Sequence, residues 1–479
     1  MMMYWLSQRA LANLCMLLCA LSLVACAGQT PYQRPAVELP AQWQAKNETT
    51  SAGLDVPDQW WRTFGNDELN RLVDSALANN QELSAAQHRV AQARALVDLN
   101  RSAAAPRLDA RGEVSRTHRS SQGIETVNEI GVAASWDLDL GGANVRAVDA
   151  AAGRVQQRRY ARESLGAALL VELCDQYFRA LSASDRLELA RANIANAASL
   201  LDLLSSRQQA GALANLEVLR QQGLIASLRA SLAPLEQQRQ SARTAMAVLM
   251  GRAPQGFDIQ ADSLAVVRLP SLPAALPMQL LERHPDVRQA ETEVIVANAD
   301  LNAQRAAWVP KLSLGAGAGL EAGTLRGLFN GATVLGSAGA SLLAPILDGG
   351  RIRAQLGAAS ARQDEVTSLY RQAVLNALRD VEDRLSALNS LAEQTTQQQR
   401  VVDYAQSALK MADLRFRNGA TDYATVLDAQ RVLLAAQDTQ SLIQLARYSQ
   451  TLGLVRALGG GAPASPAPAA RVLTSSTSG

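Results

Sequence analysis

Histidine and cysteine carry much of the metal and nucleophilic chemistry of proteins, and this chain has few of either. Its three histidines, His88, His118 and His284, lie far apart in the sequence. No HExxH, CxxC or GxSxG pattern occurs, and Cys174 falls inside a predicted helix. The residue types and their spacing therefore predict no metal site, no cofactor and no enzyme.

The stretch GAGAG at Gly315–Gly319 is the second place where chemistry could be expected, since glycine-rich loops can bind phosphate. A phosphate loop opens a helix, whereas this stretch lies within an alternating strand pattern. We therefore interpret it as part of a strand.

The N-terminus predicts an export signal followed by a lipid anchor. An apolar run at Ala10–Val24 is about 15 residues long, shorter than the roughly 20 that span a bilayer. It ends in LVAC, which resembles the lipobox of bacterial lipoproteins and implies cleavage before Cys26 and acylation, as with palmitate, at that residue. Ala27 follows rather than the aspartate that commonly retains lipoproteins in the inner membrane. An ordinary signal peptide cut elsewhere is the alternative.

Composition narrows the class of protein further. The 479 residues are 48% apolar, enough for a large buried surface, but only 4% aromatic, and alanine, leucine, glutamine and arginine dominate. The 46 basic and 44 acidic residues are interleaved, so no basic face for nucleic acid is expected. This composition is typical of long helices.

The chain repeats itself. Aligning 207–222 with 415–430, at an offset of 208, gives six identities in sixteen positions, and the matched segments each contain a glycine, Gly211 and Gly419. Upstream the offset is 204, since Pro106 corresponds to Pro310. The offset of 208 also relates other glycines: Gly141 and Gly142 to Gly349 and Gly350, and Gly251 to Gly459.

Each repeat predicts the order helix, two strands, helix, hinge, helix. Asn66–Ala105 contains neither glycine nor proline, and the 68-residue runs Ala143–Ala210 and Arg351–Asn418 contain no proline. At 1.5 Å per residue each long run predicts a helix of roughly 100 Å. The second run has a 3.5-residue apolar seam, typical of paired helices: Val374, Leu378, Val381, Leu385 and Leu388.

Between the prolines and the double glycines the apolar period changes to two. Glu129–Leu140 and Lys311–Leu320 alternate apolar residues with polar or small ones, as transmembrane β-strands do. A solvent-facing hairpin would give the same pattern. Four strands per chain cannot close a membrane barrel, because membrane barrels need about eight strands or more. Open sheet edges are not tolerated in lipid, so a spanning sheet must find further strands. Three copies would supply twelve strands.

Three stretches together carry a family resemblance: Pro31–Trp43, Asp58–Leu83 and Arg415–Arg431. With the two repeats, they make the chain similar to the outer-membrane efflux factors, the TolC-like exit ducts, most closely their NodT-type lipoprotein branch. The resemblance implies a mainly α-helical fold with a membrane β-barrel: a homotrimer whose 12-stranded barrel continues as a helical barrel into the periplasm. It also implies partners, a periplasmic adaptor protein and an inner-membrane pump, and small-molecule cargo.

On this basis we expect the following organisation: signal peptide 1–25, extended lipid-anchored segment 26–65, first repeat 66–255, linker 256–275, second repeat 276–461 and disordered tail 462–479.

The resemblance also assigns roles to residues near the hinges. Gly211 and Gly419 would form the turns of two helical hairpins at the periplasmic end, where the adaptor binds. Asp428 matches the position of an inward-facing aspartate that closes the mouth of related ducts, with Arg431 as its nearest arginine. Relatives often carry leucine where this chain has Ala424. The alternative for Asp428 and Arg431 is a solvated surface ion pair.

Two other functions share some of these features. One is the outer-membrane duct of a type I protein secretion system. The other is a lipid-anchored periplasmic adaptor or coiled-coil scaffold, which would explain one helical hairpin but not two repeats with a strand pair each.

Overall fold

A computed structural model describes residues 31–44, 56–120, 123–260, 263–270, 277 and 282–460. Cys26, the signal segment 1–25 and the tail 462–479 lie outside the described residues. The described residues divide into two units. Unit 1 contains residues 31–37 together with the described residues of His88–Arg159 and Gln289–Gln372. Unit 2 contains the described residues of Glu38–Gln87 and Tyr160–Arg288, together with residues 373–460.

Helices and strands follow one another in similar order in the two repeats. The first contains α1 (Asp67–Asn79), α2 (Gln81–Ser102), β1 (Arg107–Arg119), β2 (Gly123–Leu138), α3 (Ala143–Gln209), α4 (Asn215–Ala230) and α5 (Leu232–Leu249). The second contains α6 (Pro285–Arg305), β3 (Lys311–Ala322), β4 (Thr333–Leu343), α7 (Arg351–Arg417) and α8 (Tyr423–Ala457). Short 3-10 helices lie at Trp60–Phe64, Leu264–Val266 and Ala306–Trp308.

The two long helices are confirmed. α3 and α7 are 67 residues each, one fewer than the 68-residue runs without proline. Because no residue inside them lacks a backbone N–H, nothing interrupts their hydrogen-bond ladders. In the seam of α7, Val374, Val381 and Leu385 are at most 1% exposed, as expected for residues that pack against a neighbouring helix.

The expectation of one helix over Asn66–Ala105 is wrong, because the chain forms two helices that meet at Asn80. This residue is extended, with φ −65° and ψ 126°. Its Oδ1 accepts a hydrogen bond from Leu83 N at 2.9 Å, and its Nδ2 donates to Leu249 O at 2.7 Å. Asparagine competes with the helix through such side-chain bonds, and here it starts a new helix instead of continuing the old one.

The helix after the first hinge is also divided, at Ser231, between α4 and α5. Pro234 lies just beyond the division, and it lacks the N–H that would bond the carbonyl of Ala230. Ser231 keeps helical dihedral angles, φ −72° and ψ −14°, and is the only residue between the two helices. The corresponding helix after the second hinge, α8, contains no proline and runs for 35 residues.

The four strands form one antiparallel sheet in the order β1-β2-β3-β4. The register pairs Ile130 with Leu320 and Leu138 with Leu312, so the apolar residues of neighbouring strands share one face. β2 begins six residues before the expected start and ends two residues before the expected end. The earlier start follows from its pairing with β1, and Leu140 already belongs to the turn towards α3, where its N–H bonds Leu138 O at 3.0 Å.

Small residues let β2 and β3 approach closely on the other face of the sheet. Gly131 pairs with Gly319, and a Cβ added to Gly131 would lie only 2.8 Å from Ala318 O. Glycine is therefore required at this position by space and not by dihedral angle.

Unit 2 contains the largest buried core. Its centre is aromatic: Phe178 lies with its ring centroid 5.0 Å from that of Phe64 and 4.9 Å from that of Tyr448. Trp60 and Trp61, from the stretch that carried the resemblance, are at most 1% exposed. In unit 1 a smaller apolar cluster joins α2 to the start of α3: Val90, Ala93, Val97, Ala151 and Val155.

Across the part of the chain that the structure describes, no helix has both the length and the apolar character needed to cross a membrane.

Candidate functional site

The hinge glycines adopt the backbone conformation that the sequence predicts. Gly211 and Gly419 both have φ 72°. After each, the next N–H bonds back into the last turn of the long helix: Ala212 N to Arg207 O at 2.9 Å, and Ala420 N to Arg415 O at 2.8 Å. A Cβ at either glycine would meet no atom within 4 Å, so the left-handed dihedral angle alone requires glycine.

The two hinges start their second helices differently. At the second hinge Asp422 is the N-cap of α8, and its carboxylate accepts Thr425 N at 3.1 Å and Thr425 Oγ1 at 2.6 Å. Both bonds lower the pKa of Asp422, and the bond from the Thr425 hydroxyl has the larger effect. At the first hinge the N-cap is Ala214, which has no side-chain acceptor. The second hinge is therefore the better anchored of the two.

A buried contact ties the two hairpin tips to each other, and the sequence did not predict it. The Tyr423 hydroxyl donates to Gln221 Oε1, and Gln221 Nε2 donates to Ala197 O at 2.7 Å. Gln221 is 0% exposed, and burial raises the pKa of Tyr423 to about 12. α3, α4 and α8 are thus joined through one amide.

Apolar residues surround this contact and join both hairpins in one tip core: Leu200, Leu204, Val218, Leu224, Ala412, Phe416, Tyr423, Val426 and Leu427. At its edge the Arg207 guanidinium lies 5.1 Å from the centre of the Phe416 ring, and Arg207 Nη2 donates to Arg417 O at 3.3 Å. The end of the first long helix is therefore held against the end of the second.

The candidate gate residues lie on one face of α8, because 424, 428 and 431 are spaced by four and three. Ala424 is half-buried, whereas Asp428 and Arg431 are exposed. Among the described residues no ion pair joins Asp428 to Arg431. Their neighbours Val426 and Leu427 point into the tip core. Asp428 consequently presents its carboxylate to the surroundings of the chain. Arg220, at the aligned position of the first repeat, is exposed on α4.

Within unit 1, a polar cluster holds the segment after the candidate lipidation site against α6. Arg34 Nε and Nη2 each bond a different oxygen of the Glu291 carboxylate at 2.7 Å, and Tyr32 Oη donates to Glu291 Oε1 at 3.0 Å. The hydrogen bond to Glu291 raises the pKa of Arg34. Burial is the main cause that raises the pKa of Tyr32. No pattern in the sequence marks Glu291, because its partners are more than 250 residues away.

The residues considered for enzymatic chemistry remain dispersed. His88 is exposed on α2, His118 is exposed on β1, and His284 is half-buried just before α6. Gly315–Gly319 lies within β3, as the alternation predicted. Cys174 is fully buried, and burial raises the pKa of its thiol. Within the described ranges no group of three or more histidine, cysteine or acidic side chains could hold a metal ion.

The chain matches one family model, described as outer membrane efflux protein, over residues 72–252 and again over 276–460. The double match confirms the internal repeat. Pyoverdine export outer membrane protein OpmQ of Pseudomonas aeruginosa is 35% identical, over 94% of this chain and 97% of its own. Cation efflux system protein CusC of Escherichia coli K12 is 31% identical, over 92% of this chain and 98% of its own.

Solved structures agree with these relatives. The outer-membrane channel OprN superposes with a TM-score of 0.85 at 27% identity, covering 91% of this chain and 99% of its own. The open state of the MtrE outer membrane channel of Neisseria gonorrhoeae gives a TM-score of 0.82 at 26% identity, covering 91% and 98%.

Proposed function

Since this chain belongs to the outer membrane efflux protein family, and so is the outer-membrane channel of an efflux system, we propose that three copies form one exit duct. A periplasmic adaptor would connect this duct to an inner-membrane pump. The observation that carries the proposal is the four-stranded antiparallel sheet, which has an exposed apolar face and two outer strands, β1 and β4.

The sheet supports assembly for a physical reason. Among the described strands, β1 and β4 each pair on one side only. In lipid their unpaired backbone groups would each cost several kcal/mol, so a spanning sheet must close on itself. Four strands are too few to close, whereas twelve strands from three copies fall within the range of membrane barrels. β1 of one copy would pair with β4 of the next.

We assign the two hairpin tips to the end that receives cargo from the adaptor. Each tip ends in a glycine turn, and the shared tip core holds the two tips together within one copy. Three copies would present six tips. Asp428, exposed and without an ion pair to Arg431, would then contribute one carboxylate to a ring of three at the mouth of the duct.

We propose small molecules as the cargo, and no catalytic chemistry. Relatives that match more than nine-tenths of this chain are named for pyoverdine export and for cation efflux, and others are named for solvent and toluene efflux. These names span different small molecules, as expected for a duct whose pump selects the cargo.

The lipid anchor at Cys26 belongs to the same proposal. Acyl chains at this residue would hold the N-terminus at the membrane while Arg34 and Tyr32 fasten the following segment to Glu291. Labelling with a fatty-acid analogue should mark the wild-type protein and not Cys26→Ser. Label on the variant would exclude Cys26 as the lipidated residue.

Deletion and fractionation test the proposed function. We expect a strain without this protein to retain a small-molecule substrate of its efflux system, and the intact gene to restore export. The protein should sediment with the outer membrane and shift on a heat-modifiability gel. Sedimentation with the inner membrane and no heat shift would favour an adaptor instead. Loss of a secreted protein, with small-molecule export unchanged, would favour a type I secretion duct.

A further inference from the structure

Two helix junctions in unit 2 have the same backbone geometry. Asn80 and His284, related by the offset of 204, each precede a helix and supply its first backbone acceptor. Ser84 N donates to Asn80 O at 3.1 Å, and Arg288 N donates to His284 O at 3.1 Å. Both residues are therefore N-caps, and Pro285 occupies the first helical position of α6, where its missing N–H costs nothing.

Each junction also contacts the end of another helix. Gly251 follows α5 with φ 67°, and a Cβ there would lie 2.3 Å from Asn79 O. Gly459 follows α8 with φ 79°, and a Cβ there would lie 3.1 Å from His284 Cα. The end of α5 thus meets the start of α2, and the end of α8 meets the start of α6.

The side chains that complete these junctions differ in chemistry. Asn80 caps α2 through Leu83 N and also donates to Leu249 O at the end of α5, so it bonds both helices. An amide does this at every physiological pH. His284 accepts Asp286 N at its Nδ1, at a longer distance of 3.3 Å. Only neutral imidazole has an acceptor nitrogen, so protonation removes this bond.

We propose that the α8–α6 junction is a pH-sensitive joint, in which protonation of His284 breaks the cap of α6 and loosens its contact with the end of α8. The α5–α2 junction, capped by Asn80, does not respond to pH. One repeat thus retains a fixed junction while the other carries a switch.

A cavity of about 620 Å³ beside His284 gives the imidazole access to water. Charged groups of four helices line it: Glu172, Asp175 and Arg179 of α3, Asp286 of α6, Asp380 and Arg384 of α7, and Arg456 of α8. Asp175 and Arg179 bond each other at 2.5 Å, and Arg384 bonds Gln450 Oε1 at 2.7 Å. The charged groups that act on His284 are Asp286, Arg456 and Asp380, of which Asp380 also pairs with Arg379 at 3.1 Å.

Burial lowers the pKa of His284 below its usual 6.5, and Arg456 lowers it further, whereas Asp286 and Asp380 oppose the shift. A lowered folded-state pKa means that the unfolded chain binds the proton more readily. The contribution of this residue to stability is therefore complete above pH 6.5 and falls as the pH drops from 6.5 towards the folded value. Acidification, not alkalinisation, should open the joint.

Hydrogen exchange of the full-length protein in detergent tests the joint, with rates corrected for the intrinsic pH dependence of exchange. Between about pH 7.5 and about pH 5, we expect protection at the start of α6 to fall severalfold, and protection at the start of α2 to stay constant. His284→Asn, which copies the first junction, should abolish the change. Asn80→His should create one at α2.

Matched controls separate this joint from general acid sensitivity. His88→Gln removes an exposed histidine on α2 and should leave the response of α6 unchanged. An acid response of α6 that persists in His284→Asn would overturn the proposal, and so would equal protection at both pH values in the wild type. NMR titration of the histidine resonances in the wild-type protein does not depend on a His284 variant that folds. A pKa at or above 6.5 for His284 would also overturn the proposal.

Discussion

At the scale of single residues, Asp422 and Asp428 lie six positions apart on the same hairpin and have different roles. Asp422 caps α8 through Thr425, whereas Asp428 is exposed and forms no ion pair with Arg431. Asp422→Ala, an obvious control for a gate variant, would remove the cap and weaken the start of α8. Asp422→Asn keeps the capping oxygen and removes only the charge.

We expect Asp428→Ala to raise the ion conductance of the purified protein in planar bilayers severalfold, because in the proposed trimer three carboxylates at a narrow mouth would hold cations and neighbouring arginines. Cells carrying this variant should also admit a large antibiotic such as vancomycin. Asp422→Asn should leave both measurements at the wild-type level. Unchanged conductance in both variants would assign Asp428 to the surface of the assembly.

Tyr423→Phe should weaken the tip core. The substitution keeps the ring in its apolar surroundings but leaves the oxygen of Gln221, which is 0% exposed, without its donor. Leaving such a group unpaired costs about 1–3 kcal/mol. We expect a lower denaturant midpoint and faster hydrogen exchange at both hairpin tips. Tyr404→Phe is the matched control. Tyr404 is 73% exposed, so removing its hydroxyl should change neither the denaturant midpoint nor the hydrogen exchange at the tips.

At the scale of elements, the two faces of the sheet differ in the side chains that they carry. Leu314 and Trp136 pair across β3 and β2 on the apolar face, and both remain more than a third exposed in the single chain. Ser135 pairs with Gly315 on the other face, among glycines and small residues. Ser313 lies on that face too, but its hydroxyl donates to Asp137 Oδ1 at 2.5 Å. A substitution at Ser313 would break this bond, so Ser135 is the better position for a control substitution.

Leu314→Arg should therefore impair insertion, by about 2–4 kcal/mol if the residue lies near the middle of the bilayer. Ser135→Asn places a polar group on the opposite face and should be tolerated. Folding into lipid vesicles, followed by the heat-induced gel shift, measures both. Equal folding of the two variants would contradict a lipid-facing role for the apolar face.

At the scale of the whole molecule, β1 and β4 are the outer strands of the sheet, and in the proposed assembly they pair with strands of other copies. We expect the protein in mild detergent to have about three times the mass of the 51.0 kDa chain, less its signal segment. Higher salt should not dissociate the assembly, because salt screens backbone pairing and apolar burial only weakly. A monomeric mass would exclude the shared barrel.

Much of this architecture follows from the sequence alone. The double glycines and the hinge glycines mark the ends of α3 and α7 to within two residues, and the absence of proline between them keeps each helix continuous. Period-two alternation determines the apolar face of the sheet, and the matched glycines identify the two hinges. The run without proline and the alternation are local signals, which neighbours in sequence are enough to specify, whereas the matched glycines come from comparing the two repeats.

Tertiary structure alone decided the rest, because the deciding contacts join residues far apart in the chain. Asn80 caps α2 locally through Leu83 N, but only the fold brings Leu249 O within reach of its amide and so joins this junction to the end of α5. Gln221 meets Tyr423 from 202 positions away, and Glu291 meets Arg34 from 257 positions away. His284 caps α6 through its near neighbour Asp286, and only the fold brings the end of α8, at Gly459, beside this cap. A side chain in sequence offers donors and acceptors, and the fold determines which partners they find.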